Sequence, residues 1–311
     1  MHPPTPDTLA ALIPDGATVT VHKGDAPDVP MALALALVRR GARGLHVVTL
    51  PTCAYPASGM MLDILIGAGC VASVETSGVS LHELGPAPRF TQAVKAGTLK
   101  VLDSTCPAVY AALQAGAKGQ PFAPLRGLLG TDLLRHRPDW RVIDNPFRAQ
   151  AAVSADASGD VAGSEVGKEA GDVRGDVAAD MARDPVVLLP PLNADFAIFH
   201  AAKADEEGNV WVGRDRDRVL AAHAAGTTLV TVEERVPGSF FASEVMAAGT
   251  IPAACIGAVA VVPGGCWPMD VKGGIALDVV REYQRAARTD EGFAAWLAAH
   301  AHVPMHAPAA A

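Results

Sequence analysis

The sequence predicts an α/β protein with an open, mostly parallel sheet and helices on both faces of that sheet. Short apolar runs with many β-branched residues alternate with stretches of helical pattern along most of the chain. Glycine or proline marks most of the boundaries between them. Strands that alternate with helices in this way form parallel βαβ units, and such sheets are covered on both faces.

The N-terminal part of the chain supplies four strand–helix pairs. The segment Pro30–Arg40 has clear helix signals, because Pro30 suits the first turn and the arginines Arg39 and Arg40 suit the negative C-terminal end. Gly41 fits just past that end. We predict strands at Ala17–His22, Gly44–Leu50, Cys70–Val74 and Leu99–Leu102, and helices at Pro30–Arg40, Met60–Ala68, Arg89–Ala96 and Ala108–Ala117.

The composition changes between Arg148 and Asp184. This stretch consists mainly of Ala, Gly, Asp, Ser and Val, and Gly-Asp-Val recurs from positions 159, 171 and 175. We interpret it as a flexible, low-complexity acidic insertion at about 149–184. A functional acidic loop and a linker between two lobes are the alternatives. We expect a single domain over residues 1–311 that contains this insertion and ends in a disordered tail at about 302–311.

The alternating pattern resumes after the insertion. The apolar runs there are bounded by turn residues, such as Pro263-Gly264-Gly265. We predict strands at Pro185–Leu189, Phe196–His200, Val210–Val212, Thr228–Glu233 and Ala258–Val262, and helices at Asp217–Ala224, Ile275–Ala287 and Glu291–Ala299.

Composition narrows the functional class. The chain has 311 residues and a net charge of −8, and only 5% of its residues are aromatic. An acidic chain lacks the basic footprint of a nucleic-acid-binding protein. No apolar run reaches the roughly 18 residues of a membrane span, and the first residues lack the basic and apolar regions of a secretory signal. We therefore expect neither nucleic acid nor membrane as a partner.

The cysteines favour a reduced, cytoplasmic protein without a structural metal. They are odd in number, widely spaced and without a CxxC pair, and the histidines show no metal-ligand spacing either. Cys106 and Cys266 are expected to be inert thiols at turns. The alternating charges from Arg214 to Arg218 are expected to form a solvated or subunit-contacting face. The five cysteines are Cys53, Cys70, Cys106, Cys255 and Cys266.

Several catalytic motifs are absent from the sequence. It contains no GxxxxGK loop followed by Ser or Thr, no GxGxxG after the first strand, no GxSxG elbow and no HExxH helix. Phosphate-loop, dinucleotide, triad-hydrolase and metalloprotease chemistry are therefore disfavoured.

Four stretches of the sequence carry a family pattern. They begin at DGATVTVHKGDAPDVP, FTQAVKAGTLKVLDSTCP, RVIDNPF and LNADFAIFHAAKADEEGNVWV. The last is the most specific, with Ala-Asp-x-Ala-Ile-x-His followed by Ala-Asp-x-x-Gly-Asn. Those residues are Ala194, Asp195, Ala197, Ile198, His200, Ala204, Asp205, Gly208 and Asn209. Together the stretches resemble the α subunit of class I coenzyme A transferases, closest in style to the glutaconate CoA-transferase type, over most of residues 12–300.

The resemblance implies a fold and a chemistry. Family members have an open α/β sheet like that of ribose-phosphate isomerase and work as α/β heterodimers or heterotetramers. Coenzyme A and acyl-CoA are substrates, and no cofactor is bound. The nucleophile is a glutamate of the β subunit, which forms an acyl anhydride and then a glutamyl thioester with CoA. Covalent catalysis of this kind divides one difficult transfer into easier steps.

Glu75, Ser77 and Gly78 are the first candidate site residues. They follow the third predicted strand, at the carboxyl end where open α/β sheets bind ligands. The resemblance places Ser77 and Gly78 beside the substrate carboxylate and Glu75 near the position of the β-subunit nucleophile. The alternatives are an ordinary turn and a solvated loop carboxylate.

Asp103, Lys23 and Gly24 complete the set. Asp103 ends the fourth strand, where ring-cleaving hydrolases of this family carry a catalytic acid. Lys23 and Gly24 occupy the first strand–helix turn, where the family usually has Gly-Gly-Phe, and Lys23 could attract a carboxylate or a phosphate. A solvated turn lysine is the alternative.

Three functions are therefore compatible with the sequence. The leading one is the α subunit of a heteromeric CoA transferase that moves CoA between small carboxylic acids. The second is an acyl-CoA or C–C bond hydrolase on the same scaffold that uses Asp103 or Glu75. The third is a non-catalytic subunit that completes the pocket of its partner.

Overall fold

The structure is a computed structural model that describes residues 3–147 and 184–301. The tail at 302–311 and nearly all of the expected insertion lie outside the described residues. The chain divides into two compact units, one made of residues 1–123 and 190–311 and the other of residues 124–189. More than half of the second unit falls outside the described residues, so the single-domain expectation stays a prediction.

The strands of both units follow in chain order. They are β1 (Thr18–His22), β2 (Leu45–Leu50), β3 (Val71–Thr76), β4 (Lys100–Asp103), β5 (Ala123–Leu125), β6 (Arg141–Asp144), β7 (Pro185–Leu189), β8 (Ala194–Asp205), β9 (Val210–Trp211), β10 (Ala225–Val236), β11 (Thr250–Ile251) and β12 (Ala258–Val261).

The helices alternate with these strands. They are α1 (Pro6–Leu12), α2 (Met31–Arg40), α3 (Pro56–Gly67), α4 (Pro88–Ala96), α5 (Cys106–Ala117), α6 (Leu133–His136), α7 (Arg216–Ala224), α8 (Glu244–Ala247), α9 (Leu277–Ala286) and α10 (Asp290–His300). Among the described residues no helix is both long enough and apolar enough to cross a membrane.

The larger unit is built on a nine-stranded sheet. Seven strands pair in parallel in the order β12-β10-β8-β1-β2-β3-β4, and β9 and β11 add an antiparallel extension beside β8. The predicted open, mostly parallel sheet is thus confirmed.

Helices cover both faces of this sheet. On one face, Val19 and Val47 of the sheet pack in a large apolar cluster with α1, α2, α3, α9 and α10. On the other, Val48 and Leu50 pack against α5 and α7. Strands buried on both sides lose most of their apolar surface to the core, which explains their almost continuously apolar sequences.

Helices and strands differ from the predictions mainly at their ends. The helices predicted from Met60, Arg89 and Ala108 begin earlier, at Pro56, Pro88 and Cys106, because proline tolerates the first helical positions well. Strands β8 and β10 are longer than predicted because they pair with each other from Ala194 to Asp205. Helix α1 was missed, although Thr5 caps it by accepting a hydrogen bond from the Thr8 N–H.

A buried carboxyl group joins three helices. Asp63 of α3 accepts hydrogen bonds from the backbone N–H groups of Arg89 and Phe90 in α4 and from the Tyr283 hydroxyl of α9. Burial raises the pKa of Asp63 to about 6, although these hydrogen bonds act in the opposite direction. Residues far apart in the chain are thereby held around one polar group.

The turn between β8 and β9 matches the structural role expected for Asp205 and Asn209. Asp205 Oδ1 accepts a hydrogen bond from the Asn209 N–H at 2.9 Å, and Gly208 between them has a φ of +90°. The Asp205 carboxylate also accepts from the Phe240 N–H. The expectation that these residues stabilise a turn is confirmed.

The smaller unit contains a three-stranded sheet in the order β5-β7-β6, with β6 and β7 antiparallel. Within it the Arg137 guanidinium lies 4.2 Å from the centre of the Trp140 ring.

Candidate functional site

The carboxyl ends of four neighbouring parallel strands form one edge of the sheet. Strands β1, β2, β3 and β4 end there at His22, Leu50, Thr76 and Asp103. Open parallel sheets bind their ligands at this edge, since the loops that follow the strands enclose a crevice. All six residues predicted for the site lie at or next to these strand ends.

Ser77 and Gly78 form a loop that is fixed to the segment after β2. The Ser77 N–H and hydroxyl both donate to the carbonyl of Pro51, at 3.1 and 2.9 Å. The Gly78 N–H donates to Thr76 Oγ1 at 3.0 Å. Both amide groups are therefore used within the chain, and the exposed Ser77 hydroxyl is the group that this loop presents at the edge.

Cys106 lies beside Ser77. Its exposed Sγ is 3.5 Å from Ser77 Oγ, at the first position of α5. Thr105 caps that helix by accepting a hydrogen bond from the Ala108 N–H. The hydroxyl and the thiol thus form a polar pair at the start of a helix, a position that favours negative charge.

Gly24 allows the first strand–helix turn to pack tightly. Its φ is +78°, and a Cβ added there would lie 2.8 Å from Ser58 Cβ. Ser58 Oγ donates a hydrogen bond to the Lys23 carbonyl. The turn therefore requires glycine for its backbone conformation and for the close approach of α3.

Lys23 is half-buried between two carboxylates. Its Nζ lies 3.0 Å from Asp25 and 3.4 Å from Asp217, and Asp217 also accepts a hydrogen bond from the Tyr110 hydroxyl at 2.7 Å. Burial acts to lower the pKa of Lys23, but the two aspartates outweigh it and hold that pKa above its usual value. Tyr110 is one helical turn from Cys106, so α5 connects Lys23 with the Ser77–Cys106 pair.

Glu75 and Asp103 differ in position and exposure. Glu75 lies within β3, next to its last residue, and is buried, whereas the prediction had it just after the strand. It pairs in register with Val48, which places it on the face covered by α5 and α7. Asp103 is exposed at the end of the edge strand β4 and pairs with Thr76, on the opposite face. The structure does not bring these two carboxylates together.

A second polar cluster lies on the β12 side of the sheet. His200 Nε2 is 2.8 Å from Glu233 Oε1, and Cys266 Sγ is 3.9 Å from the same oxygen. Burial lowers the pKa of His200, whereas it raises the pKa of Cys266 to about 12. Burial alone would raise the pKa of Glu233, but hydrogen bonds from His200 and the Gly264 N–H outweigh it and lower that pKa.

Arg218 lies next to this cluster. It is buried, its Nε donates to Asp215 at 2.8 Å, and its Nη1 donates to the His200 carbonyl at 2.9 Å. The expected solvated charge face is therefore wrong for Asp215 and Arg218. The two form a buried ion pair at the start of α7, where Asp215 also caps the helix.

Two more titratable groups are buried nearby. Burial lowers the pKa of His22 to about 3 and raises that of Asp28 to about 8. The Asp28 carbonyl accepts a hydrogen bond from the His200 N–H at 2.8 Å. Within the described residues, neither ring nitrogen of His22 nor Oδ1 of Asp28 has a hydrogen-bond partner.

The sequence analysis did not identify these clusters. His200 and Glu233 are 33 residues apart, and so are Glu233 and Cys266, so no short motif contains them. The one available signal was the polar residues inside otherwise apolar strands, such as His200 in FAIFH and Glu233 in TLVTVE. Their contact follows from the β8–β10 register, which places His200 opposite Thr231.

Comparison with known proteins gives one family over most of the chain. The sequence profile of the coenzyme A transferase family matches residues 5–261. A subunit of 3-oxoadipate CoA-transferase from Pseudomonas knackmussii is 27% identical over 300 residues, which are 94% of this chain and 90% of that one. A subunit of glutaconate CoA-transferase from Acidaminococcus fermentans is 26% identical over 314 residues, which cover 93% of this chain and 84% of that one.

Solved structures agree on the fold. The crystal structure of glutaconate CoA-transferase from A. fermentans superposes with a TM-score of 0.74 at 23% identity, over 95% of this chain and 87% of that one. The decarboxylase AibA/AibB gives a TM-score of 0.68 at 24% identity, over 96% and 98% of the chains. A cholesterol ring-cleaving hydrolase IpdA subunit from Rhodococcus jostii is 27% identical over 206 residues, 65% of this chain and 57% of that one.

Proposed function

Since this chain belongs to the coenzyme A transferase family, we propose that it is the α subunit of a heteromeric class I CoA transferase. It moves CoA between small carboxylic acids, with the nucleophilic glutamate on a β-subunit partner. The observation that carries this proposal is the match to the corresponding subunit of two CoA transferases over nearly the whole chain.

The proposed reaction is balanced by two exchanges at one carboxylate. The partner's glutamate attacks the acyl-CoA carbonyl, forming a mixed anhydride and releasing CoA thiolate. The thiolate attacks the glutamyl carbonyl of the anhydride, which gives a glutamyl thioester and the free donor acid. The acceptor carboxylate then reverses both steps and leaves as its CoA ester, and the glutamate is regenerated.

The burial of Glu75 supports the assignment of the nucleophile to the partner. A carboxylate that attacks an acyl-CoA must reach the thioester carbonyl, and Glu75 lies inside β3 on a face covered by helices. In this proposal Glu75 has a structural role, and Asp103 stands beside the pocket without reacting.

The exposed loop after β3 is the proposed contact for the substrate carboxylate. Ser77 can turn its hydroxyl from the Pro51 carbonyl toward a substrate oxygen, and Gly78 leaves room beside it. Because the Ser77 and Gly78 amides are already bonded within the chain, the oxyanion of the tetrahedral intermediate takes its donors from elsewhere.

Lys23 and Gly24 are proposed to shape the same pocket. Lys23 is neutralised by Asp25 and Asp217, so a substrate anion must displace one of them to pair with it. In this proposal Lys23 favours an anionic substrate group that arrives already partly desolvated, and Gly24 sets the position of Lys23 through its contact with Ser58.

The test is reconstitution with the chain that copurifies. The complex is incubated with an acyl-CoA and a carboxylate acceptor, and CoA esters are quantified by chromatography and mass spectrometry. We expect transfer only when both chains and the acceptor are present. Thioester hydrolysis that proceeds at the same rate without an acceptor would contradict the proposal.

The second candidate is a hydrolase that uses a carboxylate of this chain. The exposed position of Asp103 at the end of β4 favours it, as does the similarity to a ring-cleaving hydrolase subunit. Loss of acceptor-independent hydrolysis in Asp103→Asn would support this candidate. The proposed location is the cytoplasm, in accord with the free thiols of all five cysteines.

A further inference from the structure

Three side chains with metal-binding atoms converge on the β12 side of the sheet. His200 of β8, Glu233 of β10 and Cys266 of the turn after β12 place Nε2, a carboxylate oxygen and Sγ within 4.8 Å of one another. We propose that this cluster is a binding site for a divalent cation of borderline softness, with Zn²⁺ as the type. The sequence analysis expected no structural metal, and the family assignment does not require one.

The donor types define the class of cation. Imidazole, carboxylate and thiolate are the three ligands that Zn²⁺ takes in proteins, whereas Mg²⁺ and Ca²⁺ take oxygen ligands. One carboxylate and one thiolate also balance the charge of a divalent ion. Three protein ligands leave the fourth tetrahedral position for water or another small ligand.

The distances need only small adjustments. Tetrahedral zinc with bonds of about 2.1 Å to nitrogen or oxygen and about 2.3 Å to sulfur separates its donors by roughly 3.3 to 3.6 Å. Glu233 Oε1 is 2.8 Å from His200 Nε2 and 3.9 Å from Cys266 Sγ. The first distance must widen and the second must shorten by roughly half an ångström, which small side-chain rotations can supply.

Neighbouring groups already orient two of the ligands. Thr231 Oγ1 lies 2.8 Å from His200 Nδ1, so the other ring nitrogen points into the cluster. The Gly264 N–H donates to Glu233 Oε2 at 2.8 Å and leaves Oε1 toward His200 and Cys266. Outer contacts of this kind fix the tautomer and the direction of metal ligands.

The turn that carries Cys266 is shaped to meet His200. A Cβ on Gly265 would lie 3.0 Å from the His200 ring, so only glycine permits this approach. The Gly265 carbonyl also accepts a hydrogen bond from the Ala32 N–H of α2 at 3.0 Å, which fixes the turn. Cys266 is therefore held in place from both sides.

The surroundings allow a cation to enter and to stay. His200 and Cys266 are fully buried, but the Glu233 side chain is 17% exposed and gives a route from solvent. A cavity of about 120 Å³ lies against His200 and Arg218. The charge of Arg218 is balanced by Asp215 at 2.8 Å, so its repulsion of a bound cation is reduced.

The test uses Co²⁺ and Zn²⁺ with the full-length chain after treatment with a chelator. We expect one equivalent of Co²⁺ to bind and to give the near-ultraviolet band of a thiolate–cobalt bond, which one equivalent of Zn²⁺ abolishes. Binding should release about one proton, because the Cys266 thiol must lose its proton to ligate the metal.

Two variants and one control assign the site. Cys266→Ser should lose the thiolate band and bind at least tenfold more weakly, and Glu233→Gln should keep folding and also lose at least tenfold in affinity. Cys255→Ser, at a half-buried cysteine outside the cluster, should behave like the native chain. If Cys266→Ser does not fold, the Glu233→Gln comparison decides.

Two results would overturn the proposal. One is the failure of the native chain to bind a stoichiometric cation more tightly than Glu233→Gln. The other is a thiolate band that survives in Cys266→Ser. Neither readout depends on CoA transfer, so the cation site and the proposed transferase activity can fail independently.

Discussion

Glu75 and Asp103 lie on neighbouring strands but on opposite faces of the sheet. Glu75 pairs in register with Leu102, and Asp103 pairs with Thr76, so one residue of offset separates their directions. A single step along a strand reverses the side-chain direction. The two carboxylates therefore cannot act as a general acid–base pair on one substrate.

The first prediction concerns these carboxylates. In the reconstituted complex, Asp103→Asn should keep kcat/KM for CoA transfer within about threefold of the native value. Glu75→Gln should lower kcat by less than about tenfold, through altered packing. Loss of a true nucleophile lowers kcat by about 10⁴-fold or more. Steady-state rates of CoA transfer provide the measurement.

A large loss in either variant would move the chemistry to this chain. If Asp103→Asn removed thioester hydrolysis and left the substrate KM unchanged, the hydrolase alternative would replace the transferase. Circular dichroism of each variant provides the folding control.

The second prediction compares two glycines with the same left-handed backbone. Gly24 has a φ of +78° and Gly41 a φ of +72°, but a Cβ would contact Ser58 only at Gly24. Gly41→Ala should cost about 1 kcal/mol of unfolding free energy. Gly24→Ala should cost at least about 1 kcal/mol more, because the clash moves the turn or α3. Urea denaturation measures both, and equal costs would show that the contact with Ser58 is not restrictive.

The third prediction concerns the buried pair of Asp215 and Arg218. Arg218→Met leaves a buried carboxylate and the His200 carbonyl without their partner, so it should cost about 3 kcal/mol or more. Arg281 forms an ion pair of similar length with Asp278, but both side chains are mostly exposed. Arg281→Met should therefore change stability by less than about 0.5 kcal/mol. A similar loss in both variants, measured by denaturation, would contradict the assigned burial of Arg218.

The fourth prediction is a pH dependence caused by Asp63. Burial raises its pKa in the folded chain from 3.8 to about 6. The folded state therefore holds more protons than the unfolded state between these values, and stability must fall as pH rises from about 4 to above 6. A shift of this size corresponds to about 3 kcal/mol.

Asp63→Asn isolates this contribution. Unfolding free energies between pH 4 and 7 should decline less in the variant than in the native chain. Tyr283→Phe removes a hydrogen bond that lowers the pKa of Asp63, so the decline should extend to higher pH. Parallel curves for the native chain and Asp63→Asn would refute this assignment.

The alternating sheet could be predicted because its strands are locally encoded. The runs that form β1, β2 and β3 are apolar on both faces and end at glycine or polar turns, so each can be located without knowledge of its neighbours. The edge that bears Lys23 and Ser77 follows from the rule that ligands bind at the carboxyl ends of parallel strands.

The remaining polar groups could not be predicted, because they depend on pairing between distant strands. The contact of His200 with Glu233 requires the exact β8–β10 register, and Cys266 reaches it only through the close turn at Gly265. The burial of Arg218 likewise depends on α7 packing against β8, whereas its sequence neighbourhood has the alternating charges of a surface.

The most direct test of the central claim is to trap the covalent intermediate. The complex of both chains is incubated with an acyl-CoA, the glutamyl thioester is reduced with borohydride, and the modified residue is mapped by mass spectrometry. The account predicts modification of a single glutamate on the partner subunit, with Glu75 and every other carboxylate of this chain unmodified. Modification of Glu75, or turnover of the thioester without any modified glutamate, would contradict it.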